Sequence, residues 1–377
     1  MIARACARCE HCTGKLHFLG AEHAPDEVWV RGMNSSKAVF FAADAAYLKL
    51  AWVAARSVAA EPGRDFDVWL LVDKALAGTA PPPGVRLLPV ALPAALVTAG
   101  GPAHMSPFAY ARLAAPALWL QGYDRLLYID SDTRIAGPLS PLFALDMGNA
   151  LAAMVEDCGR YLGTAAGRED WDEYRRRTGL PLDQPYFNSG VILINAALWQ
   201  EERLWECATT FIAARGPALR FMDQDALNVL AAGRILELSP RWNFCTHYLG
   251  LGLETAVRPR ILHYLNVLKP WRDPEWAALY GGEDVRAFAG LFRDSPWPDF
   301  LHRGLHSRLP WRKRAALRTA QATRHVPKDA LAGHVANFTA LAPRLRTDVR
   351  RGFTERADRY ADLTPSEAEK LRAALSA

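Results

Sequence analysis

Residues 125–139 read RLLYIDSDTRIAGPL, and this stretch decides the fold. Arg125–Ile129 is a short apolar run of the kind buried in a sheet covered on both faces. It passes without a break into Asp130-Ser131-Asp132. Open α/β sheets bind ligands beyond the carboxyl ends of their strands, which is where these carboxylates fall. A turn at the strand end can bring both to one ion, and hard oxygen ligands suit Mg²⁺ or Mn²⁺ shared with substrate phosphates.

Upstream, the rhythm is strand, helix, strand. Ala38–Ala42 is an apolar run ending at Asp44, and residues 45–60 have helical spacing and composition. Strands follow at 67–72 and 85–90, on either side of the Pro81-Pro82-Pro83-Gly84 turn, and then a helix at 108–121. Downstream, strands are predicted at 151–155, 191–194 and 260–265, and helices at 196–214 and 223–232. The alternation predicts an α/β fold with a mainly parallel sheet. From about Ser295 the pattern breaks into short helices rich in Arg and Ala.

The domain reading is a leader over 1–36, a nucleotide-binding domain over 37–285 and a basic helical extension over 286–377. The leader carries Cys6, Cys9 and Cys12 at CxxCxxC spacing but lacks the second Cys/His pair of a zinc ribbon or finger. It is read as lying outside the fold, with no apolar secretory core, and Met33 is an alternative start. Cys158, Cys207 and Cys245 stand singly, the usage of a reducing cytoplasm. No stretch reaches the ~20 apolar residues of a spanning helix.

The formal charge of +5 is uneven. Residues 291–377 hold 17 Lys/Arg against 9 Asp/Glu, a net of +8, so residues 1–290 carry −3. That asymmetry argues against nucleic acid and for a local anionic surface.

Three further features join the DxD triplet. Asn188-Ser189-Gly190 leads into VILIN, with small residues that allow close approach to a ligand. Asp223-Gln224-Asp225 opens a helix, and His263 precedes Lys269-Pro270-Trp271. Each alone has a plainer reading: a solvated turn, a strand lead-in, an N-cap, a core histidine.

Their order and spacing point further. The chain resembles the retaining glycosyltransferases of family 8, which include lipopolysaccharide galactosyltransferases, glycogenin and galactinol synthase. The resemblance rests on FAADAAY (41–47), HMSPFAYARL (104–113), RLLYIDSDTRIAGPL (125–139), YFNSGVILIN (186–195), MDQDALNVL (222–230) and LHYLNVLKPW (262–271).

It implies a GT-A type, Rossmann-like domain with a mixed, mainly parallel sheet that moves glucose or galactose from UDP-glucose or UDP-galactose with retention. The acceptor would be a carbohydrate, a lipid-linked saccharide or a protein. Asp130, Asp132 and His263 would hold Mn²⁺ or Mg²⁺. Asp44 would bind the uridine end, and His104 and Arg112 would contact the donor. Asp157 or its neighbour Glu156, with Asn188 and Ser189, would face the sugar. Asp223 would bind donor hydroxyls, Gln224 would lie beneath the anomeric carbon, and Lys269 would hold the diphosphate.

The chain departs from the family pattern at Ala45 and Ala46, where Asp or Asn often follows Asp44. It departs again at Asn266, which replaces a glycine of HxxGxxKPW. These departures keep open a non-catalytic nucleotide-sugar-binding protein. A sugar nucleotidyltransferase is a further alternative, but FAADAAY lacks the glycine-rich, basic phosphate loop that such an enzyme needs. The basic, aromatic segment 302–318, with Trp311, is read either as a peripheral contact with an anionic membrane or as a helical cap.

Overall fold

Lys37–Ala43 (β1), Asp67–Asp73 (β2), Arg86–Val90 (β3) and Arg125–Ile129 (β4) are the apolar runs of the first third of the chain, and they pair in parallel. In this computed structural model the described residues are 34–93, 106–162, 165–215, 218–249, 251–265, 269–272, 282–301 and 330–376. They form two compact units interleaved along the sequence. Unit one runs to Ser131 and adds Leu139–Glu156 and Ala166–Leu236; unit two holds Asp132–Pro138, Asp157–Ala165 and the chain from Glu237 onward.

Unit one is built on a seven-stranded sheet of order β3-β2-β1-β4-β7-β6-β8, completed by Ala152–Glu156 (β6), Phe187–Asn195 (β7) and Ile235–Leu238 (β8). The parallel half matches the sequence expectation. β7 runs antiparallel between β4 and β6, so the sheet is mixed, as the family resemblance implied. All nine residues of β7 are buried, which explains why its apolar run reads as a strand without alternation. It begins earlier than predicted and takes in Asn188-Ser189-Gly190.

The helices Leu48–Ala59, Ala111–Leu118, Ala196–Glu201, Leu204–Arg215 and Met222–Leu230 cover the sheet, and their apolar faces share its core. The predicted helix over 196–214 is two helices, because Arg203 adopts φ 51° and breaks the run. Because β1 and β4 are parallel, their carboxyl ends lie at one edge of the sheet. Ser131 Oγ ties that edge by donating to Ala42 O at 3.2 Å.

Unit two carries a small sheet of order β5-β10-β9, from Thr133–Ile135 (β5), Phe244–Cys245 (β9) and Ile261–His263 (β10). Its core joins Phe244, Cys245 and Tyr248 to Leu345, Val349 and Phe353 of the helix Ala330–Arg356 and to Leu371 and Leu375 of the helix Pro365–Ser376. Asp362 fastens the C-terminal stretch: it accepts Ser239 N at 2.6 Å, Ser239 Oγ at 2.7 Å and Trp242 Nε1 at 2.9 Å. No helix among the described residues is long and apolar enough to cross a membrane. The leader cysteines and the basic segment 302–318 lie outside the described residues.

Gly352 tests how closely the helix Ala330–Arg356 is packed. A Cβ built there would meet Tyr161 Cε1 at 2.8 Å and Cζ at 2.9 Å. Gly→Ala inside a helix ordinarily gains about 1 kcal/mol. Gly352→Ala should instead destabilise the protein, by about 1–3 kcal/mol as in overpacked cores. Chemical denaturation reads the sign, and a stabilised variant would show that the contact is loose.

Candidate active-site residues

In unit one the predicted residues gather around a buried cation. Arg112, in the helix Ala111–Leu118, is 6% exposed. Its Nη1 donates to Ser189 O at 2.8 Å and Ser189 Oγ at 2.9 Å, and its Nη2 lies 3.1 Å from Asp130 Oδ1. The guanidinium stacks 4.6 Å from the ring centroid of Tyr128, whose hydroxyl donates to Asp130 Oδ1 at 2.6 Å. Asp130 N in turn donates to Gly190 O at 2.7 Å. A cation this buried needs such a shell, since unpaired burial of charge is costly.

Asp223 faces the same guanidinium differently. Arg112 Nε is 3.1 Å from Asp223 Oδ2, but its N–H is directed at Ala109 O, 3.0 Å away. The carboxylate therefore has a neighbouring charge without an aligned hydrogen bond: both oxygens are buried with no donor among the described residues. Desolvation pushes its pKa up to about 6, against the pull of Arg112 and with a further push from Asp130. Such a group is poised to accept hydroxyl donors from a ligand.

Gln224 is already engaged. Its Oε1 accepts Ser189 N at 2.9 Å, Asn188 Nδ2 at 3.2 Å and Ser189 Oγ at 3.3 Å, which ties the helix start to β7. Met222, at φ 47°, turns the chain into this helix. Asp225 has a different part: fully buried, it accepts Tyr174 Oη at 2.5 Å, Tyr186 Oη at 2.7 Å and Phe221 N at 2.8 Å. Asn228 bonds both Phe187 N and Phe187 O. Tyr186 and Asn228 fall inside the quoted stretches 186–195 and 222–230 but are given no role by the resemblance, and Tyr174 lies in none of those stretches. Asp44 caps its own turn, its Oδ1 accepting Ala46 N at 2.9 Å and Tyr47 N at 3.2 Å.

In unit two, Asp132, His263 and Lys269 come together. His263 is 1% exposed at the end of β10, where it pairs with Thr133 on one side and Cys245 on the other. Its Nδ1 is 2.8 Å from Asn243 Oδ1 and its Nε2 is 3.2 Å from Asp132 Oδ1. A histidine oriented by a side-chain carbonyl on its far nitrogen is the ordinary form of a metal ligand.

Lys269 Nζ donates to Asp132 Oδ2 at 2.8 Å and also to Tyr264 O. Burial would raise the Asp132 pKa, but Lys269 and His263 outweigh it and hold the carboxyl below its usual range. The sequence pointed to His263 and Lys269 but not to Asn243. Asp157 Oδ1 accepts Gly159 N at 2.8 Å, capping the short helix Gly159–Leu162. His104 and Asn266 lie outside the described residues.

Asp223 gives a pH test independent of activity. Its folded pKa of about 6 lies above the ordinary 3.8, so the folded state holds the proton more tightly. Its contribution is therefore favourable at low pH and is lost as pH rises through about 6. Asp223→Asn should abolish that dependence. Between pH ~4 and ~6 the wild type should lose stability relative to the variant, on the order of 3 kcal/mol. Denaturation midpoints across that range measure it, and a constant difference would disprove the buried, unsolvated carboxylate.

Comparison with known proteins bears on these residues. Residues 95–275 match the model "Glycosyl transferase family 8". The lipopolysaccharide 1,2-glucosyltransferase of Escherichia coli is 31% identical over 217 residues, 54% of this chain and 60% of that protein. General stress protein A of Bacillus subtilis is 31% identical over 187 residues, 45% of this chain and 61% of that protein. The chain thus covers about three fifths of these relatives' length. The crystal structure of the galactosyltransferase LgtC with donor and acceptor sugar analogues superposes with a TM-score of 0.53 at 24% identity, covering 74% of this chain and 99% of that one. That likeness establishes a shared GT-A type α/β fold. The stretch that matches the glycosyl transferase family 8 model contains Arg112, Asp130, Asp132, Asp223, His263 and Lys269.

Proposed function

We propose that the chain transfers a hexose, glucose or galactose, from a UDP-sugar to a saccharide-bearing acceptor with retention of configuration. The observation that carries this reading is Asp132, whose carboxylate meets the His263 imidazole and the Lys269 ammonium within unit two. Asp130 stands two residues before it in the chain, and the three side chains Asp130, Asp132 and His263 are the proposed ligands of Mn²⁺ or Mg²⁺. Bound there, the ion would stabilise negative charge developing on the leaving diphosphate.

The remaining work falls to the protein's own groups. Lys269 is the proposed partner of the diphosphate, and Arg112 fixes Asp130 and Ser189. Asp223, with two undonated oxygens, would take sugar hydroxyls. Asn188, Ser189 and Gln224, already bonded to one another, would present a rigid face to the sugar. Asp44 would meet the uridine, and Asp157 and His104 would contact the donor.

In the proposed reaction the bond from the anomeric carbon to the phosphate oxygen breaks. The acceptor oxygen bonds to the same face, and its proton passes to the leaving phosphate oxygen. The names of the lipopolysaccharide glucosyltransferase and of LgtC favour a saccharide acceptor. The net +8 of residues 291–377 would bring the enzyme to anionic lipid that bears it.

Transfer and hydrolysis of UDP-glucose and UDP-galactose should require Mn²⁺ or Mg²⁺. Asp132→Ala should remove the metal-dependent rate while leaving the fold intact; near-wild-type activity with full Mn²⁺ dependence would reject the metal assignment. Asn243→Ala should weaken Mn²⁺ affinity about 10–100-fold, because the His263 ring loses its orienting acceptor. For the membrane contact, full-length protein should co-sediment with anionic vesicles at low salt and be released at high salt. A chain that stays in the supernatant throughout would show the basic tail to be structural.

A further inference from the structure

Unit two holds a second group of metal-ligating side chains, separate from the residues proposed above. Cys158 lies just before the short helix Gly159–Leu162, Cys245 ends β9, and His247 lies in the following helix Thr246–Leu249. One ligand atom from each, the two Sγ atoms and an imidazole nitrogen, lies within 4.8 Å of the others. Cys158 Sγ is 3.6 Å from His247 Nδ1. A tetrahedral zinc with Zn–S of about 2.3 Å and Zn–N of about 2.0–2.1 Å has an S···N edge of about 3.6 Å. Both cysteines are free thiols, and both are buried in the core of unit two beside Phe244 and Tyr248.

We propose that Cys158, Cys245 and His247 form a structural zinc site in unit two. Two thiolates and an imidazole are the donor set that selects zinc over the hard cations suited to carboxylates. These three side chains leave one tetrahedral position, which a water molecule would fill. The Cys245 contact with Cys158, together with burial, holds the Cys158 thiol well above its ordinary pKa. Zinc must therefore displace protons, and its affinity rises with pH.

The site has a structural consequence. Cys245 pairs in register with His263, and Thr246 Oγ1 donates to His263 O at 3.1 Å. Zinc held there would clamp residues 157–162 to the strand that aligns His263.

The test uses the full-length chain with Cys6, Cys9 and Cys12 replaced by serine, so that the leader cannot contribute. After chelation and dialysis, Co²⁺ should give a thiolate charge-transfer band and the visible bands of tetrahedral cobalt, both saturating at one equivalent. Cys158→Ser and Cys245→Ser should each abolish the band, whereas Asp132→Ala should retain it. Absence of the band, or its survival in either serine variant, overturns the site.

A second readout does not depend on the serine variants folding. Zinc added to the chelated protein should slow alkylation of Cys158 and Cys245, but not of Cys207, by at least tenfold. Unchanged rates, or recovery of Cys158 and Cys245 as a disulfide, also overturn it.

Discussion

The buried charge on Arg112 is the constraint around which unit one is organised. A guanidinium carries five donors and cannot shed its proton, so burying it obliges the surrounding chain to present acceptors. Those acceptors come from Asp130 at the end of β4, Ser189 in β7 and Ala109 ahead of its own helix. One side chain thus sets the relative placement of three elements. The ring of Tyr128 against it, and the bond from Tyr128 to Asp130, close the arrangement. Asp223 is the residue this arrangement leaves unsatisfied, which is why it is the strongest candidate to meet a ligand.

Unit two shows the complementary situation. There the anion is the half-buried Asp132, and His263 and Lys269 are brought to it from chain more than a hundred residues away. Its backbone is fixed too, since Tyr264 N donates to Asp132 O at 3.0 Å. A carboxylate held by both main chain and side chain keeps its position when its partners change, as a metal ligand must.

Much of this was legible in the sequence because it rests on local pattern. The runs at 38–42, 67–72 and 125–129 are apolar at nearly every position, and they became the parallel strands. The DxD triplet, NSG, DQD and the His263–Lys269 pair stood out through spacing. What escaped notice depends on partners distant in sequence. Asp225 received no part of its own in the DQD triplet, yet two tyrosines, Tyr174 and Tyr186, make it a structural anchor. Asn243 has no neighbouring motif, and only the pairing of β9 with β10 brings it to His263. Strands as short as β5 and β9 carry no periodicity to read, and the break at Arg203 comes from a backbone angle that its composition does not announce.

The anchoring of Asp362 has a consequence for the order in which the molecule is made. Unit one has all its strands once the ribosome has passed residue 238, so its sheet can form while synthesis continues. Unit two cannot follow so early. Ser239 and Trp242 wait for a carboxylate some 120 residues later, and the apolar faces of Phe244 and Tyr248 wait for helices that begin beyond residue 329. During that interval the strand bearing His263 is already made, but the core against which it packs is not. Asp132 and His263, the unit-two residues proposed to bind metal, would therefore be among the last parts of the protein to mature.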